Sequence, residues 1–432
     1  MDHTIQSAII SGVDRIAAWS DLLDDINVFP IADGDTGRNL IASLTPLRQI
    51  NGDHGVTIQQ LLMSARGNSG NIATRFFSGL LTANSLEIIP EAVKLGRDAA
   101  WKAVSNPIPG TMLSVFDALV EFFESESIHL SEDYFERLIN HLEASVQSTL
   151  ELLPALKLAG VVDSGALGMY VFLEGFFKGL TDKAEDCVPI TTRFKGKLKI
   201  SPSYKRESDT GYCVDTVIRI DGDSEKKMYQ ISKLGESAVI ISHKDYLKVH
   251  LHTDNVGTMR EKMEEIGNII NWENDDLKEQ VEEFKKTPKK RVIHIMTDAA
   301  GSLTRKDAQE LGITLLNSYI ITRNKSLPET LFSPEEIYKI MRDDEKISTS
   351  QASSYERHQS YQSVLEQYDR VLYLCVGSVF TGNYDVALNW KKKNDLKNRF
   401  TVIDTTAASG RLAIIVRAVA AYAASVDDPA RI

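Results

Sequence analysis

Apolar residues recur every three or four positions through the first 185 residues. Ile5, Ile9, Val13 and Ile16 do so near the start, and Tyr134, Leu138, Leu142 and Val146 further on. That period places them on one stripe of a helix. Three glycine-bearing loops interrupt it: ARGNSGN at 65–71, NPIPGTM at 106–112 and VVDSGALG at 161–168. Between 183 and 210 the chain turns polar and carries Pro189 and Pro202, which predicts a boundary. Beyond 211 the period shortens. DTVIRI, SAVIISH and YLKVHLHT predict short strands, and TMREKMEEIG predicts a helix among them. The charged segment EEFKKTPKKR, 282–291, predicts a linker. After it, RVIHIMTD, ITLLNSYIIT, RVLYLCVGS and RFTVIDT are apolar nearly throughout and alternate with helical segments. Such strands belong to a parallel sheet covered on both faces.

The pattern therefore predicts a multidomain chain. An all-α domain spans 1–185, a small α+β domain 200–285, and an α/β parallel-sheet lobe 290–432.

Composition changes this picture little. The chain of 432 residues is 43% apolar and 25% charged, which is enough to build ordinary cores. A net charge of −11 argues against nucleic acid and anionic membranes as partners. Cys187, Cys213 and Cys375 form no paired framework, as expected in a reducing cytoplasm. No apolar run reaches the ~20 residues of a spanning helix, and the N-terminus lacks the basic start of a signal peptide.

The densest chemistry lies in FPIADGDTGRN, 29–39, where Asp33 and Asp35 sit two apart. In extended or turn backbone two such carboxylates share a side and repel. A divalent cation relieves that repulsion, and hard oxygen ligands suit Mg²⁺. A calcium EF-hand is excluded, because Gly37 takes the third-ligand position and Leu44 that of the closing Glu. The competing reading is an Asp-Gly turn that caps a helix beginning near Thr36. In GNSG, the backbone amides of Gly67, Asn68, Ser69 and Gly70 could converge on a phosphate at a helix start. Thr111 offers a hydroxyl, Met112 an apolar contact and Gly165 a flexible turn. No Walker A motif is present, so a nucleotide site would be of another kind.

KVHLHT puts His250 and His252 on one face of a strand. With Cys213 of GYCVD they form a donor set suited to tetrahedral Zn²⁺. The same spacing equally fits exposed strand histidines and a small buried thiol. In the last part, Thr297, Asp298, Ser378, Asp404 and Ser409 fall near strand ends, and KISTSQASS places Thr349 and Ser350 in a loop. Open α/β sheets bind ligands at that edge, although helix capping uses the same hydroxyls.

Together, NVFPIADGDTGRN, ARGNSGN, PIPGTM and VVDSGALG resemble the L-subunit domain of the dihydroxyacetone kinase family, in the variant of bacterial fatty acid kinases. The resemblance implies a barrel of antiparallel helices, with ATP at its mouth and two Mg²⁺ between phosphates and aspartates. Asp33 and Asp35 match the metal carboxylates, and Asn27 stands where related kinases carry a further aspartate. Ser69, Gly70, Thr111 and Met112 match nucleotide-contacting positions, with Asn68 and Gly165 as further candidates beside them. Arg38 departs from the small residues common at its position. GYC and KVHLHTDN resemble the middle domain of fatty acid kinase, which implies a metal-binding or catalytic role for Cys213, His250 and His252, with Asp254 as a supporting carboxylate. Residues 291–432 resemble the first lobe of the DegV family, whose lipid carboxylate is held at positions matching Thr349 and Ser378. A DegV second lobe has no counterpart in this sequence, so an incomplete lipid site is expected.

The activity implied is transfer of phosphate from ATP to a fatty acid carboxylate, with Asp33, Asp35, His250 and His252 as catalytic candidates. Carrier and kinase on one chain would raise the effective concentration of lipid. The expected ligands are ATP, Mg²⁺ and a fatty acid, with Zn²⁺ in the middle domain, and the expected assembly is a homodimer. Two alternatives remain at this point: phosphorylation of a small hydroxyl compound such as dihydroxyacetone, and a non-catalytic lipid sensor.

Overall fold

The computed structural model describes residues 3–50, 54–205, 211–284, 292–322 and 325–426. The chain divides into two compact units. The first comprises Met1–Val188 and Thr192–Phe284, and the second Pro189–Thr191 and Lys285–Ile432.

The first unit opens with helices α1 (His3–Asp25), α2 (Thr36–Leu44), α3 (His54–Ser64), α4 (Gly67–Leu80), α5 (Ile89–Ala103), α6 (Met112–Ser125), α7 (Glu132–Leu152), α8 (Pro154–Ala159) and α9 (Ser164–Gly179). Helix α9 is apolar on nearly every side and is buried from Ser164 to Lys178. Helices α1, α2, α6 and α7 pack around it, as expected for a helix without a polar face. Gly12 brings α1 close: a Cβ there would lie 2.6 Å from the Phe172 ring. Phe76 stacks on Phe116 at 4.0 Å and extends this core. After α9, the short α10 (Ile190–Arg193) ends in Arg193, which is ion-paired with Glu136 and Glu143 at 2.9 Å each.

The same unit continues into strands β1 (Tyr212–Arg219), β2 (Glu236–His243), β3 (Tyr246–Thr253) and β4 (Asn268–Asp276), with α11 (Ser224–Ile231), α12 (Val256–Ile266) and α13 (Leu277–Phe284). The strands form an antiparallel sheet in the order β2-β3-β1-β4. One face is apolar: Val214, Ile218, Leu247, Val249 and Leu251 pack with Met259 and Met263 of α12. Alternation along the strands puts Cys213, Asp215, Lys248 and His250 on the other face. That face is buried too, because the helices cover it. Ser105 donates its N–H to Ala238 O at 3.0 Å, and Val104 bridges to Val239. The polar stretch 183–210 thus separates two sequence regions that pack as one body. Its last residues, 206–210, lie outside the described residues, as do 285–291 of the expected linker, whose first residues belong to α13. The strand pattern did not predict β4. Its sequence NIINWENDD is largely polar, and pairing with β1 makes it a strand.

The second unit contains β5 (His294–Asp298), α14 (Arg305–Leu311), β6 (Thr314–Leu316), β7 (Ser318–Ile321), β8 (Ser326–Pro328), α15 (Pro334–Arg342), β9 (Ser348–Gln351), α16 (Ser354–Gln367), β10 (Val371–Cys375), α17 (Asn383–Asn394), β11 (Phe400–Asp404) and α18 (Ser409–Ala423). A parallel sheet in the order β11-β10-β5-β6 lies at its centre. Leu412, Val416 and Ala420 of α18 cover one face. Tyr361 of α16 and Trp390 of α17 cover the other. ITLLNSYIIT, expected as one strand, is two: β6 joins the parallel sheet and β7 a separate antiparallel sheet, β8-β7-β9. Asn317 sits at the break and accepts from Thr330 Oγ1 at 2.7 Å. Thr349 and Ser350, expected in a loop, lie in β9, where pairing with β7 extends the backbone. Among the described residues no helix is long and apolar enough to cross a membrane.

Candidate metal and nucleotide site

Helix α1 ends before the loop of the paired aspartates, and its Asp24 reaches across to α2. Asp24 Oδ1 accepts the N–H groups of Gly37 at 2.6 Å and Arg38 at 3.2 Å. Two of the open amides at the start of α2 are thereby satisfied from another helix. Asp35 occupies the N-cap position but makes no capping hydrogen bond. Its Oδ2 accepts from Asn39 Nδ2 at 2.7 Å instead. The capping reading of Asp35 therefore fails, and its carboxylate stands beside that of Asp33. Burial, followed by the neighbouring Asp35 charge, pushes the Asp33 carboxyl well above its ordinary range, against the opposing pull of Arg38. Two crowded carboxylates of this kind suit a hard divalent cation such as Mg²⁺, whose charge removes the repulsion.

Asn27 donates from Nδ2 to Asp33 Oδ1 at 2.7 Å. In this arrangement it presents a donor and orients the carboxylate. Ser164, at the start of α9, places its Oγ 3.3 Å from Asn27 Oδ1 and 3.0 Å from Thr36 Oγ1. The VVDSGALG loop is thereby tied to the aspartate loop.

The remaining loops meet at the same place. A Cβ on Gly165 would lie 2.9 Å from Met112 Cε and 3.7 Å from Ser69 Oγ, so α9, α6 and α4 converge there. A Cβ on Gly70 would fall 2.0 Å from Ser43 Oγ, on α2. Asn68 and Ser69 lie half-buried in the first turn of α4. Thr111 caps α6, accepting from Leu113 N at 3.4 Å. Asp163 caps α9, accepting from Ala166 N at 2.7 Å, and burial pushes its carboxyl up to about 7. Four helix N-termini thus gather around Asp33 and Asp35, and such ends favour anions.

On the polar face of the sheet, Cys213, His250 and His252 bring their ligand atoms within 4.8 Å of one another. Cys213 Sγ lies 3.6 Å from His250 Nδ1 and 4.0 Å from Nε2. Asp215 Oδ2 holds His250 Nδ1 at 3.1 Å, which leaves Nε2 for an ion. Burial, and then His250, pushes the His252 imidazole down to about 3, so it is neutral at pH 7. Burial pushes the Cys213 thiol well above its ordinary value, reinforced by Asp215, Asp35 and Asp33. One sulfur and two neutral imidazoles suit Zn²⁺. Asp254, expected as the supporting carboxylate, is exposed, and Asp215 supports His250 instead.

The strand pattern missed Asp215, although it follows Cys213 by two residues and so shares its face. Glu273 and Asp275, which lie opposite Asp215 and Cys213 across β4, were missed with that strand. Glu273 pairs with Arg66 at 2.7 Å. Burial raises the Asp275 carboxyl, with Arg66 and Arg38 opposing and Asp35 among its charged neighbours. The carboxylate pair and the thiol–imidazole cluster therefore adjoin.

In the second unit, Thr349 is exposed on β9. Ser378 follows β10 and is engaged by Asp404: its N–H donates to Oδ1 at 3.1 Å and its hydroxyl to Oδ2 at 2.5 Å. Ser409 Oγ lies 3.1 Å from Ser302 Oγ. Thr297 and Asp298 point inward. Thr297 bonds to Leu374 O at 2.8 Å. Asp298 accepts from Arg357, Tyr373, Asn383 and the Val376 amide. It is a structural hub beneath the strand ends.

Family models match three successive parts of the chain. Residues 30–178 match the DAK2 domain and 209–284 the middle domain of FakA-like fatty acid kinases, both of kinase type. Residues 292–432 match the DegV family of uncharacterised proteins. The domain order is that of a FakA-like fatty acid kinase chain joined to a DegV-family domain. An uncharacterized protein of Staphylococcus haemolyticus is 32% identical over 305 residues, 63% of this chain and 54% of that protein. An uncharacterized protein of Mycoplasma genitalium is 29% identical over 374 residues, 76% of this chain and 66% of that protein. The chain spans about half the length of the first of these relatives. A solved DegV family protein from Thermus thermophilus, described as fatty-acid-binding, is 24% identical and covers 33% of this chain and 50% of its own, with a TM-score of 0.29.

Proposed function

We propose that the first unit binds Mg²⁺-ATP and phosphorylates the carboxylate of a fatty acid, which the DegV-like unit carries. The observation that supports this most directly is the release of Asp35 from helix capping. It leaves two adjacent carboxylates at the meeting point of four helix N-termini, within a region that matches a kinase-type domain. Asp33 and Asp35 would hold Mg²⁺, which neutralises charge on the phosphates. The helix ends and the Gly67–Gly70 turn would hold the phosphate oxygens. Asn27 and Asn39 keep the two carboxylates oriented.

In the reaction, a carboxylate oxygen of the fatty acid forms a bond to the γ-phosphorus, and the bond from that phosphorus to the β–γ bridging oxygen breaks. The products are acyl phosphate and ADP. The attacking carboxylate is already ionised at neutral pH, so no general base is needed. Catalysis is then mainly alignment and charge compensation. Exposed Val379 and Phe380, beside Ser378, offer apolar surface suited to an acyl chain.

The test is ATP turnover with a long-chain fatty acid, with dihydroxyacetone, and with neither, trapping acyl phosphate with hydroxylamine. The expected result is turnover that needs Mg²⁺ and the fatty acid and is lost in a folded Asp33→Ala variant. Turnover unchanged in that variant, or supported only by dihydroxyacetone, refutes the proposal.

A further inference from the structure

A series of direct contacts joins the carboxylate pair to the thiol–imidazole cluster. Asp35 Oδ2 accepts from Asn39 Nδ2 at 2.7 Å. Asn39 packs on Gly67 so closely that a Cβ there would lie 2.2 Å from Nδ2. The Gly67 N–H donates to Asp215 Oδ2 at 3.0 Å, and the same oxygen faces His250 Nδ1 at 3.1 Å. Asp215 Oδ1 is held by Asn71 Nδ2 and Lys248 Nζ, each at 3.2 Å. Asp215 is only 8% exposed, so these partners stand in for water.

The position of Gly67 gives this arrangement its significance. Gly67 is the first residue of α4, with φ at +60°. Its N–H is one of the open amides that a helix start offers to an anion. Here the anion is a carboxylate from another domain. Asp215 therefore sets the orientation of the turn that carries Asn68, Ser69 and Gly70. It also sets the His250 ring, because Nδ1–H donated to Asp215 leaves Nε2 toward Cys213 and His252.

We propose that Asp215 is a positioning residue that couples the two sites. An ion held by Cys213, His250 and His252 locks His250 and Asp215, and through Gly67 fixes the first turn of α4 in the form that receives nucleotide phosphates. This rests on the reading given under Proposed function for the carboxylate pair. Coupling of this kind is reciprocal, so the nucleotide tightens the ion by the factor by which the ion tightens the nucleotide.

The test uses the full chain, stripped with a chelator. Calorimetry measures binding of Mg²⁺ with a non-hydrolysable ATP analogue, with and without one equivalent of Zn²⁺, and then of Zn²⁺ with and without the analogue. In the wild type each ligand should tighten the other by roughly 5-fold or more. In Asp215→Asn both should still bind, with the factor reduced to below about 2, and Asp215→Glu should restore part of it. Amide hydrogen exchange across residues 67–70 should slow on Zn²⁺ addition in the wild type and not in Asp215→Asn. Equal factors in both proteins overturn the proposal. So does a wild-type factor of about 1 with both ligands bound, a result that needs no variant. Zn²⁺ binding with no nucleotide binding refutes the nucleotide reading, and the coupling with it. Nucleotide binding with no Zn²⁺ binding removes the ion from the cluster and overturns the coupling alone.

Discussion

Asp24 accepts the backbone N–H of Gly37 at 2.6 Å, joining the last turn of α1 to the first turn of α2. This contact frees Asp35 from its N-cap duty. The same approach depends on Gly37, where a Cβ would lie 2.1 Å from the Ser20 carbonyl oxygen.

Asp24→Ala should therefore weaken more than the fold. Losing a charged acceptor of two buried amides costs about 1–3 kcal/mol. Asp35 is then the nearest group able to cap α2, and doing so would draw it from the metal site. Urea unfolding and Mg²⁺ titration should show Mg²⁺ affinity falling further than the stability loss alone would produce. A stability loss with unchanged Mg²⁺ affinity would refute this account.

Zn²⁺ binding should release about one proton at pH 7.5. The proton comes from Cys213, whose thiol is held protonated by burial and nearby carboxylates. His252 contributes none, because its imidazole is already neutral. Calorimetry in buffers of different ionisation enthalpy reads the number directly. Cys213→Ser should lower it and weaken binding by roughly 10-fold or more; release of two protons would show a charged imidazole at the site.

Asp163 makes a pH prediction for the protein free of metal and nucleotide. Its folded pKa, about 7, lies above the ordinary carboxyl value of 3.8. Between those values the folded state binds more protons than the unfolded one, so this group's contribution to stability falls as pH rises. The loss is on the order of 2–4 kcal/mol. Asp163→Asn keeps an acceptor for the Ala166 amide and removes the titration. Unfolding at pH 4.5 and 7.5 should show a flatter profile in the variant, and parallel profiles would contradict the raised pKa.

In the second unit, Asp298→Ala should cost about 3–5 kcal/mol, because it strands the buried Arg357 guanidinium. The expected readout is a lower melting temperature for the transition of that unit, with Mg²⁺ binding to the first unit unchanged. A surface-like effect below about 0.5 kcal/mol would show that Arg357 finds another partner.

Much of this was legible in the chain itself. Alternation gave β1, β2 and β3 and put His250 and His252 on one face. Helical periods gave the N-terminal bundle, and the glycine loops marked the ends that meet. What was hidden depends on partners far away in sequence. The polar segment NIINWENDD becomes β4 only by pairing with β1, as strand formation commonly depends on context. Asp24 looks like any surface aspartate near a helix end until α2 packs against it. Asp215 was within reach, since a period of two from Cys213 already set its direction.

The charged face of the sheet has one more consequence. Lys248 is 2% and His250 1% exposed, because helices roof them over. Cutting the chain anywhere between 183 and 210 would bare that face to solvent and strip the helical half of its floor. Dissection of the protein into separately expressed pieces should respect this. The smallest portion that keeps both ion-binding candidates intact runs unbroken from the first helix through Phe284.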